Sequence, residues 1–142
     1  MPPHKTYKIK SIRKDSPLIN TYILDGGYHS LPGQFVMIWL PSIDEKPMSI
    51  AYQDEKETHI TVAAIGPFTK ELAKKQAGEK LSIRGPYGSA FSLDKGKRYC
   101  MVGGGVGVPP LFNTTSALRL KNIEVDFIVG GRSKEHVIFE KE

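Results

Sequence analysis

A run of glycines sets the tightest limit on how this chain can fold. Gly103 to Val108 follows the short apolar segment Arg98 to Val102, which has the length and composition of a buried strand. Two prolines come next, and because proline fits a first helical turn, Pro109 to Lys121 is predicted as a helix ended by Asn122. Ile123 to Val129 is strand-like again. This order predicts one βαβ unit with parallel strands.

The preceding part of the chain has another pattern, short strand-like segments between turn residues. Phe35 to Leu40 is apolar throughout, which predicts a strand covered on both faces. One helix is predicted over Lys70 to Ala77, led by Gly66 to Thr69 and stopped by Gly78. Together the strand-like segments favour a six-stranded antiparallel barrel over about residues 1–97, with a partial α/β domain over 98–142. The other predicted strands lie around Tyr7 to Ile12 and at Leu18 to Leu24, Pro47 to Tyr52, Thr58 to Ile65 and Leu81 to Arg84.

Composition excludes several classes of protein. With 39% hydrophobic and 25% charged residues among 142, we expect a soluble globular chain, and no apolar run is long enough to span a bilayer. The start lacks the apolar core of a signal peptide. A single cysteine, Cys100, excludes a disulfide framework, and we expect it to be a buried structural thiol. The four histidines show no ligand spacing, so no metal site is predicted. These features favour the cytoplasm.

The net charge of +5 admits a nucleic-acid-binding protein as one interpretation. The lysines and arginines are scattered, however, and are not interleaved with aromatic residues. A solvated surface that attracts anionic cofactors is the better account.

Three segments are candidates for a binding site, and each has a structural alternative. The glycine loop could approach a phosphate or ring, but it has Val108 and Pro110 where the dinucleotide fingerprint needs glycine, so a tight turn without ligand stays open. Gly66 to Thr69 could hold a pyrophosphate through backbone N–H groups and the Thr69 hydroxyl, or Thr69 could simply cap the helix. In Lys46 to Ser49 a cation and a hydroxyl could face a cofactor, but an exposed lysine and a strand serine are favoured when that segment is taken alone.

Taken together and in this order, the segments resemble the ferredoxin-reductase-type flavoprotein superfamily from about Lys5 to the last residue. Within it the chain is most similar to electron-transfer subunits of dihydroorotate dehydrogenase, especially archaeal ones. The similarity is carried by the motifs PGQFVMIWLP at Pro32 to Pro41, DEKPMSIAY at Asp44 to Tyr52, GPYG at Gly85 to Gly88 and GGGVGVPPL at Gly103 to Leu111.

The resemblance implies a role for each matching residue. Ser49 would hydrogen-bond the reactive nitrogen N5 of the flavin and is the catalytic candidate, while Lys46 stands where the superfamily has arginine. Lysine is a point charge, so it makes a weaker bidentate phosphate contact than the planar arginine fork. The residues assigned to FAD are Lys46, Pro47, Met48, Ser49, Ala63, Ala64, Ile65, Gly66, Phe68 and Thr69. Those assigned to the nicotinamide cofactor are Gly104, Gly105, Gly107, Pro109 and Arg132.

The resemblance also implies a function. NAD(P)H would reduce FAD, and the flavin would pass electrons singly to a catalytic dehydrogenase subunit in a hetero-oligomer serving pyrimidine biosynthesis. Full members of this family add a [2Fe-2S] cluster on cysteines that this chain lacks, so we expect a C-terminally shortened chain that is inactive alone. Two alternatives stay open: the corresponding subunit of a hydrogenase or ferredoxin–NAD(P) oxidoreductase, and a non-catalytic interaction module that has lost the cofactor.

Overall fold

Six antiparallel strands form a closed barrel in the computed structural model, which describes residues 1–93, 96 and 98–142. The strands pair in the order first, second, fifth, fourth, third, sixth, and the sixth returns to the first. This confirms the predicted six-stranded antiparallel barrel. The strands are β1 (Lys5–Lys14), β2 (Ile19–Asp25), β3 (Phe35–Leu40), β4 (Asp44–Gln53), β5 (Glu57–Ala63) and β6 (Lys80–Tyr87).

Side chains alternate along each barrel strand, and those on the inner face fill the barrel. On β3, Val36, Ile38 and Leu40 point into the core, where they meet aliphatic side chains from the other strands. The opposite face of β3 is only partly covered, and Trp39 is exposed. The prediction that β3 is covered on both faces was therefore wrong, because a closed barrel buries one face of each strand and leaves the other outside.

The helix within the barrel sequence is shorter than predicted and begins earlier. This helix, α1, spans Pro67–Leu72, whereas Lys70 to Ala77 was predicted. Proline occupies the first helical position, where its missing N–H has no intrahelical partner to lose. Gly78 has φ +94° and ends a later turn instead of the helix.

Helix α1 is part of the barrel core. Phe68 and Leu72 are buried among the barrel's aliphatic side chains. The hydroxyl of Tyr22, on β2, donates a hydrogen bond to the carbonyl of Leu72 at 3.1 Å. Helix α1 is therefore held in a fixed position relative to the barrel strands, by Phe68 near its start and by Leu72 at its end.

A parallel βαβ unit follows the barrel, as predicted. Its elements are β7 (Arg98–Gly104), α2 (Val108–Leu120) and β8 (Glu124–Gly130), and a short 3₁₀ turn, Gly105–Gly107, joins β7 to α2. The two strands pair in parallel from Arg98 with Glu124 to Gly104 with Gly130. The predicted and observed bounds differ by one or two residues. The difference of two is at β7, which continues through Gly103 and Gly104.

One face of the β7–β8 sheet is open among the described residues. Met101 is buried and Phe127 half-buried, whereas Val102 and Ile128 on the other face are 67% and 57% exposed. Cys100 lies on that open face and is exposed. The prediction that it is a buried thiol was wrong, because the apolar composition of the strand does not tell which face is covered.

The barrel and the βαβ unit meet through a second apolar cluster. Ile19 and Ala51 of the barrel pack with Val108 of α2 and with Ile138 and Phe139, which follow β8. The cluster joins β2, β4 and the start of α2 into one contact region. The predicted division between the two domains, after Lys97, lies outside the described residues. No helix of the described part of the chain is both long and apolar enough to cross a membrane.

Candidate functional site

A cleft of about 530 Å³ lies between β4 and the start of α1. The two sides are close because β4 pairs with β5, and β5 leads within a few residues into α1. The cleft therefore joins two of the three segments singled out in the sequence, Lys46 to Ser49 and Gly66 to Thr69. Its lining residues are Ile43, Asp44, Lys46, Pro47, Met48, Ile65, Gly66, Pro67, Phe68 and Thr69.

The Thr69 hydroxyl organises the wall formed by α1. It accepts hydrogen bonds from the backbone N–H groups of Gly66 at 2.9 Å and Ile65 at 3.1 Å, and it donates to the Gly66 carbonyl at 3.1 Å. Thr69 thus caps the helix from inside the first turn, and its hydroxyl and the Gly66 N–H are already engaged. The N–H groups of Phe68 and Thr69 belong to the first helical turn, where geometry gives them no intrahelical acceptor.

The cation of the cleft is already paired with an acid. Lys46 Nζ lies 2.5 Å from a carboxylate oxygen of Asp44, and both side chains are about half exposed. The hydrogen bond from Lys46 lowers the pKa of Asp44. Exposed ion pairs of this kind contribute little to stability, so Lys46 can leave Asp44 for a phosphate at small cost.

The remaining wall of the cleft is apolar and partly open to water. Ile65 is 71% exposed and Ile43 is 49% exposed. Met48 is half-buried and packs on the barrel core. An apolar wall beside a cation and free backbone donors suits a ligand with a flat apolar part and an anionic part.

Ser49 lies on the other face of β4. Side chains alternate along a strand, so Ser49 points away from Met48, and it pairs with Phe35 on the outer wall of the barrel. Phe35 pairs on its other side with Tyr87 of β6, and the two rings are 6.0 Å apart. Ser49 therefore stands at the margin of the cleft, and Ala63 and Ala64 also lie outside its lining.

A partly buried ion pair fixes this outer wall of the barrel. Arg84 of β6 binds both carboxylate oxygens of Glu45 on β4, and its Nη1 donates to the Tyr87 hydroxyl at 2.8 Å. Arg84 lowers the pKa of Glu45. The pair spans β4, β3 and β6, and it holds the strand that carries Lys46 and Ser49.

A second cleft, of about 340 Å³, lies at the glycine loop. It brings together Gly104, Gly105 and Arg132 of the predicted nicotinamide residues, but not Gly107 or Pro109. Pro109 is buried in the first turn of α2, and Gly107 is exposed away from the cleft. The predicted segments after β7 and β8 thus meet, because the carboxyl ends of parallel strands lie at the same edge of a sheet.

Among the residues that line these clefts, the sequence did not single out Asp44 or His136 as site residues. Asp44 sits beside Lys46 and could have been found from its place in the DEKPMSIAY motif. Gly131 lines the glycine cleft, and a β-carbon there would lie 2.8 Å from the backbone of His136, so only glycine fits. The Nδ1 atom of His136 and the hydroxyl of Ser133 form a hydrogen bond of 2.7 Å, which no local sequence pattern indicated. Among the described residues no group of three metal-ligating side chains occurs.

Comparison with known proteins gives relatives along most of the chain. A probable dihydroorotate dehydrogenase B (NAD(+)), electron transfer subunit, of Methanocaldococcus jannaschii is 35% identical over 132 residues, covering 93% of this chain and 49% of that protein. The protein of the same name from Thermococcus kodakarensis is 42% identical over 106 residues, covering 75% of this chain and 43% of that protein. The chain thus spans about half the length of the curated relatives it matches. No protein-family model matches it.

Solved structures give the same fold. The flavohem-like FAD/NAD-binding domain of nitric oxide dioxygenase from Vibrio cholerae superposes with a TM-score of 0.85 at 18% identity, covering 98% of this chain and 67% of that one. At this identity the likeness establishes architecture alone. The chain is thus homologous to electron-transfer subunits named for dihydroorotate dehydrogenase B, and its closed barrel with the parallel unit after it has the fold of the FAD/NAD-binding domain of nitric oxide dioxygenase.

Proposed function

We propose that this chain is the FAD-binding part of an electron-transfer subunit that passes electrons between NAD(P)H and a catalytic dihydroorotate dehydrogenase. The observation that carries the proposal is the cleft between β4 and α1. It unites two sequence segments that the resemblance assigned to the same cofactor, Lys46 to Ser49 and Gly66 to Thr69.

The residues of the cleft fit an FAD molecule. Lys46 supplies positive charge for the pyrophosphate, and the N–H groups of Phe68 and Thr69 supply hydrogen-bond donors. Met48 and Ile65 offer an apolar surface for a ring, and the thioether of methionine adapts readily to a planar partner. A cleft of about 530 Å³ falls in the range of small-molecule sites and would hold part of so long a cofactor.

The protein's own groups have separate tasks in this proposal. Lys46 exchanges Asp44 for the cofactor's phosphate, and Thr69 keeps the Gly66 turn in shape. Ser49 lies on the outer face of β4, so its hydroxyl would hydrogen-bond a ring nitrogen where the ring system extends past the margin of the cleft. FAD, when bound, accepts electrons in pairs from a nicotinamide cofactor and releases them singly.

The glycine cleft is proposed as the nicotinamide side of the site. Gly104, Gly105 and Arg132 line it, and Ile19 contributes a barrel residue. Gly105 has φ +53°, a left-handed conformation that glycine adopts without strain. The position of the cleft at the carboxyl ends of β7 and β8 is where α/β sheets bind their ligands. The proposed division into domains at residues 97 and 98 places this cleft in the second domain, beside the barrel.

The test is flavin binding by the purified protein. Wild-type protein should be yellow or take up added FAD. Lys46→Gln should weaken FAD binding about tenfold or more, because a charge-assisted hydrogen bond to phosphate is lost. Lys74→Gln is the matched control, since Lys74 is exposed, pairs with Glu71 near the end of α1 and does not line the cleft. Ser49→Ala should keep its FAD but slow reduction by NADH in the complete encoded polypeptide.

Two results would contradict the proposal. Colourless wild-type protein that takes up no added FAD would leave the barrel as a binding module without cofactor. Equal FAD affinity of wild type and Lys46→Gln would place the pyrophosphate elsewhere, and unchanged reduction kinetics in Ser49→Ala would remove Ser49 from the site.

A further inference from the structure

Asp44, Lys46 and Met48 stand on one face of β4. Side chains alternate along a strand, so these three residues, spaced two apart, point to the same side, and all three line the cleft beside α1. Glu45 points to the other side, where Arg84 binds it. The cleft face of β4 therefore presents a carboxylate, an ammonium group and a thioether in succession.

The carboxylate of Asp44 is held by two separate contacts. One oxygen accepts a hydrogen bond from the backbone N–H of Glu45 at 2.8 Å, and the other lies 2.5 Å from Lys46 Nζ. The hydrogen bonds from Lys46 and from the Glu45 N–H lower the pKa of Asp44, so the carboxylate is ionised at neutral pH. Because the backbone contact does not involve Lys46, the carboxylate stays at the cleft wall when the lysine turns to a phosphate.

The side chains that line the cleft carry no net charge. Among the described residues of the lining, Lys46 is the one cation and Asp44 the one anion. Lys70 on α1 is exposed and lies outside the lining, and Glu71 on the same helix is paired with Lys74. A phosphate bound by Lys46 therefore has a negative charge of the protein beside it.

The charge of the phosphate decides how strongly Asp44 opposes it. A terminal phosphate monoester carries a charge of about −1.5 to −2 at pH 7, because its second pKa is about 6. Each phosphate of a pyrophosphate diester carries a single negative charge, since it has no second ionisable oxygen. Attraction to Lys46 and repulsion from Asp44 both grow with the charge of the phosphate. The second charge of a monoester thus gains little where both residues are present.

We propose that Asp44 makes the cleft select flavins whose phosphates carry one charge each, as in the pyrophosphate of FAD, over flavins that end in a phosphate monoester, as in FMN. The inference rests on the proposed function, because it takes the cleft as a flavin site. Asp44 determines specificity without holding the cofactor: its carboxylate removes the advantage that a doubly charged phosphate would gain from Lys46.

The experiment measures the dissociation constants of FAD and of FMN for the flavin-free purified chain by isothermal titration calorimetry. Asp44→Asn removes the charge and keeps the shape of the side chain. It should tighten FMN binding about fivefold and FAD binding about twofold, because exposed charges act on this scale and the monoester carries more charge. The ratio of the two dissociation constants should therefore move towards FMN by about two- to threefold.

Two further variants separate the charge of Asp44 from its shape and place. Asp44→Glu keeps the charge and should keep the wild-type preference for FAD. Glu71→Gln is the matched control, because Glu71 is also a carboxylate paired with a lysine, at 2.6 Å, but does not line the cleft. Neither dissociation constant should change in Glu71→Gln. Added salt should reduce the difference between wild type and Asp44→Asn, because the side chains of Asp44 and Lys46 are both about half exposed.

The outcomes distinguish this inference from the proposed function. If wild type binds FAD and Lys46→Gln weakens that binding, an unchanged ratio of the two dissociation constants in Asp44→Asn overturns charge selection alone. An equal loss of preference in Asp44→Glu also overturns it, because shape would then matter and charge would not. Wild type that binds neither flavin contradicts the proposed function and this inference with it. A melting curve of each variant checks that the fold is intact.

Discussion

The barrel and the β7–α2–β8 unit use similar apolar strands and bury them very differently. In the barrel every strand pairs on both sides, and residues such as Ile38 and Ile60 are completely buried. In the second unit two strands pair only with each other among the described residues, and Ile128 is exposed on their open face. A closed sheet completes its own core, whereas a parallel pair with one helix covers a single face and needs another layer to cover the second.

The ion pairs of the two regions differ in the same way. Arg84 and Glu45 on the barrel wall are 15% and 20% exposed, and Arg98 and Asp126 on the open face are 64% and 52% exposed. Both pairs are bidentate. The same chemistry should therefore stabilise the barrel and contribute little to the second unit.

The largest effect is expected from removing a barrel core side chain. Ile38→Ala should lower the free energy of unfolding by about 2–5 kcal/mol, because a buried cavity replaces the side chain. Chemical denaturation followed by circular dichroism measures this. A loss below about 1 kcal/mol would show that the barrel relaxes around Ile38 and is not the more rigid region.

An intermediate effect is expected at the Glu45–Arg84 pair. Because Arg84 holds the pKa of Glu45 below its unfolded value, the pair stabilises the fold above the unfolded pKa and is lost as pH falls through the folded pKa. Glu45→Gln should therefore melt about 3 °C below wild type at pH 7, and the difference should shrink as pH falls below the unfolded pKa and vanish below the folded pKa. Asp126→Asn, at the exposed pair, should change the melting temperature by less at every pH. Equal shifts in the melting temperature of the two variants would show that the partly buried Glu45–Arg84 pair is no more stabilising than the exposed Arg98–Asp126 pair.

The smallest effect is expected on the open face of the second sheet. Ile128→Ala makes the same chemical change as Ile38→Ala, but at an exposed site it should change the free energy of unfolding by no more than about 0.5 kcal/mol. The measurement is the same denaturation curve. A loss as large as that of Ile38→Ala would show that this face is covered in solution.

Much of the fold could be predicted because the residues that form its turns are recognisable in the sequence. Glycine and proline mark the ends of the barrel strands, and the glycine loop followed by two prolines predicts the βαβ unit. The bounds of α1 were wrong because Lys70 to Ala77 is helix-forming in composition, while the observed helix ends where Leu72 enters the core. Burial of Cys100 and coverage of β3 were wrong for a related reason, since composition does not tell which face another element covers.

Local sequence patterns predicted the candidate site only as separate segments, and the resemblance alone implied that these segments share one cofactor. Lys46 and the turn at Gly66 were found from motifs, but their meeting in one cleft depends on the pairing of β4 with β5, which the sequence does not state. The groove of about 810 Å³ between α2 and the barrel loops was not predicted, because its walls come from four distant parts of the chain.

Because Phe68 and Leu72 are buried, α1 both borders the candidate cofactor cleft and forms part of the barrel core. The helix that would grip a cofactor's phosphates is also a piece of the barrel's interior, so it cannot loosen without opening that interior to water. Evolution therefore has little freedom to tune affinity by making this helix mobile. Changes of affinity would have to come from the surface positions around it, such as Ile43, Asp44 and Ile65, which line the cleft and contribute nothing to the core.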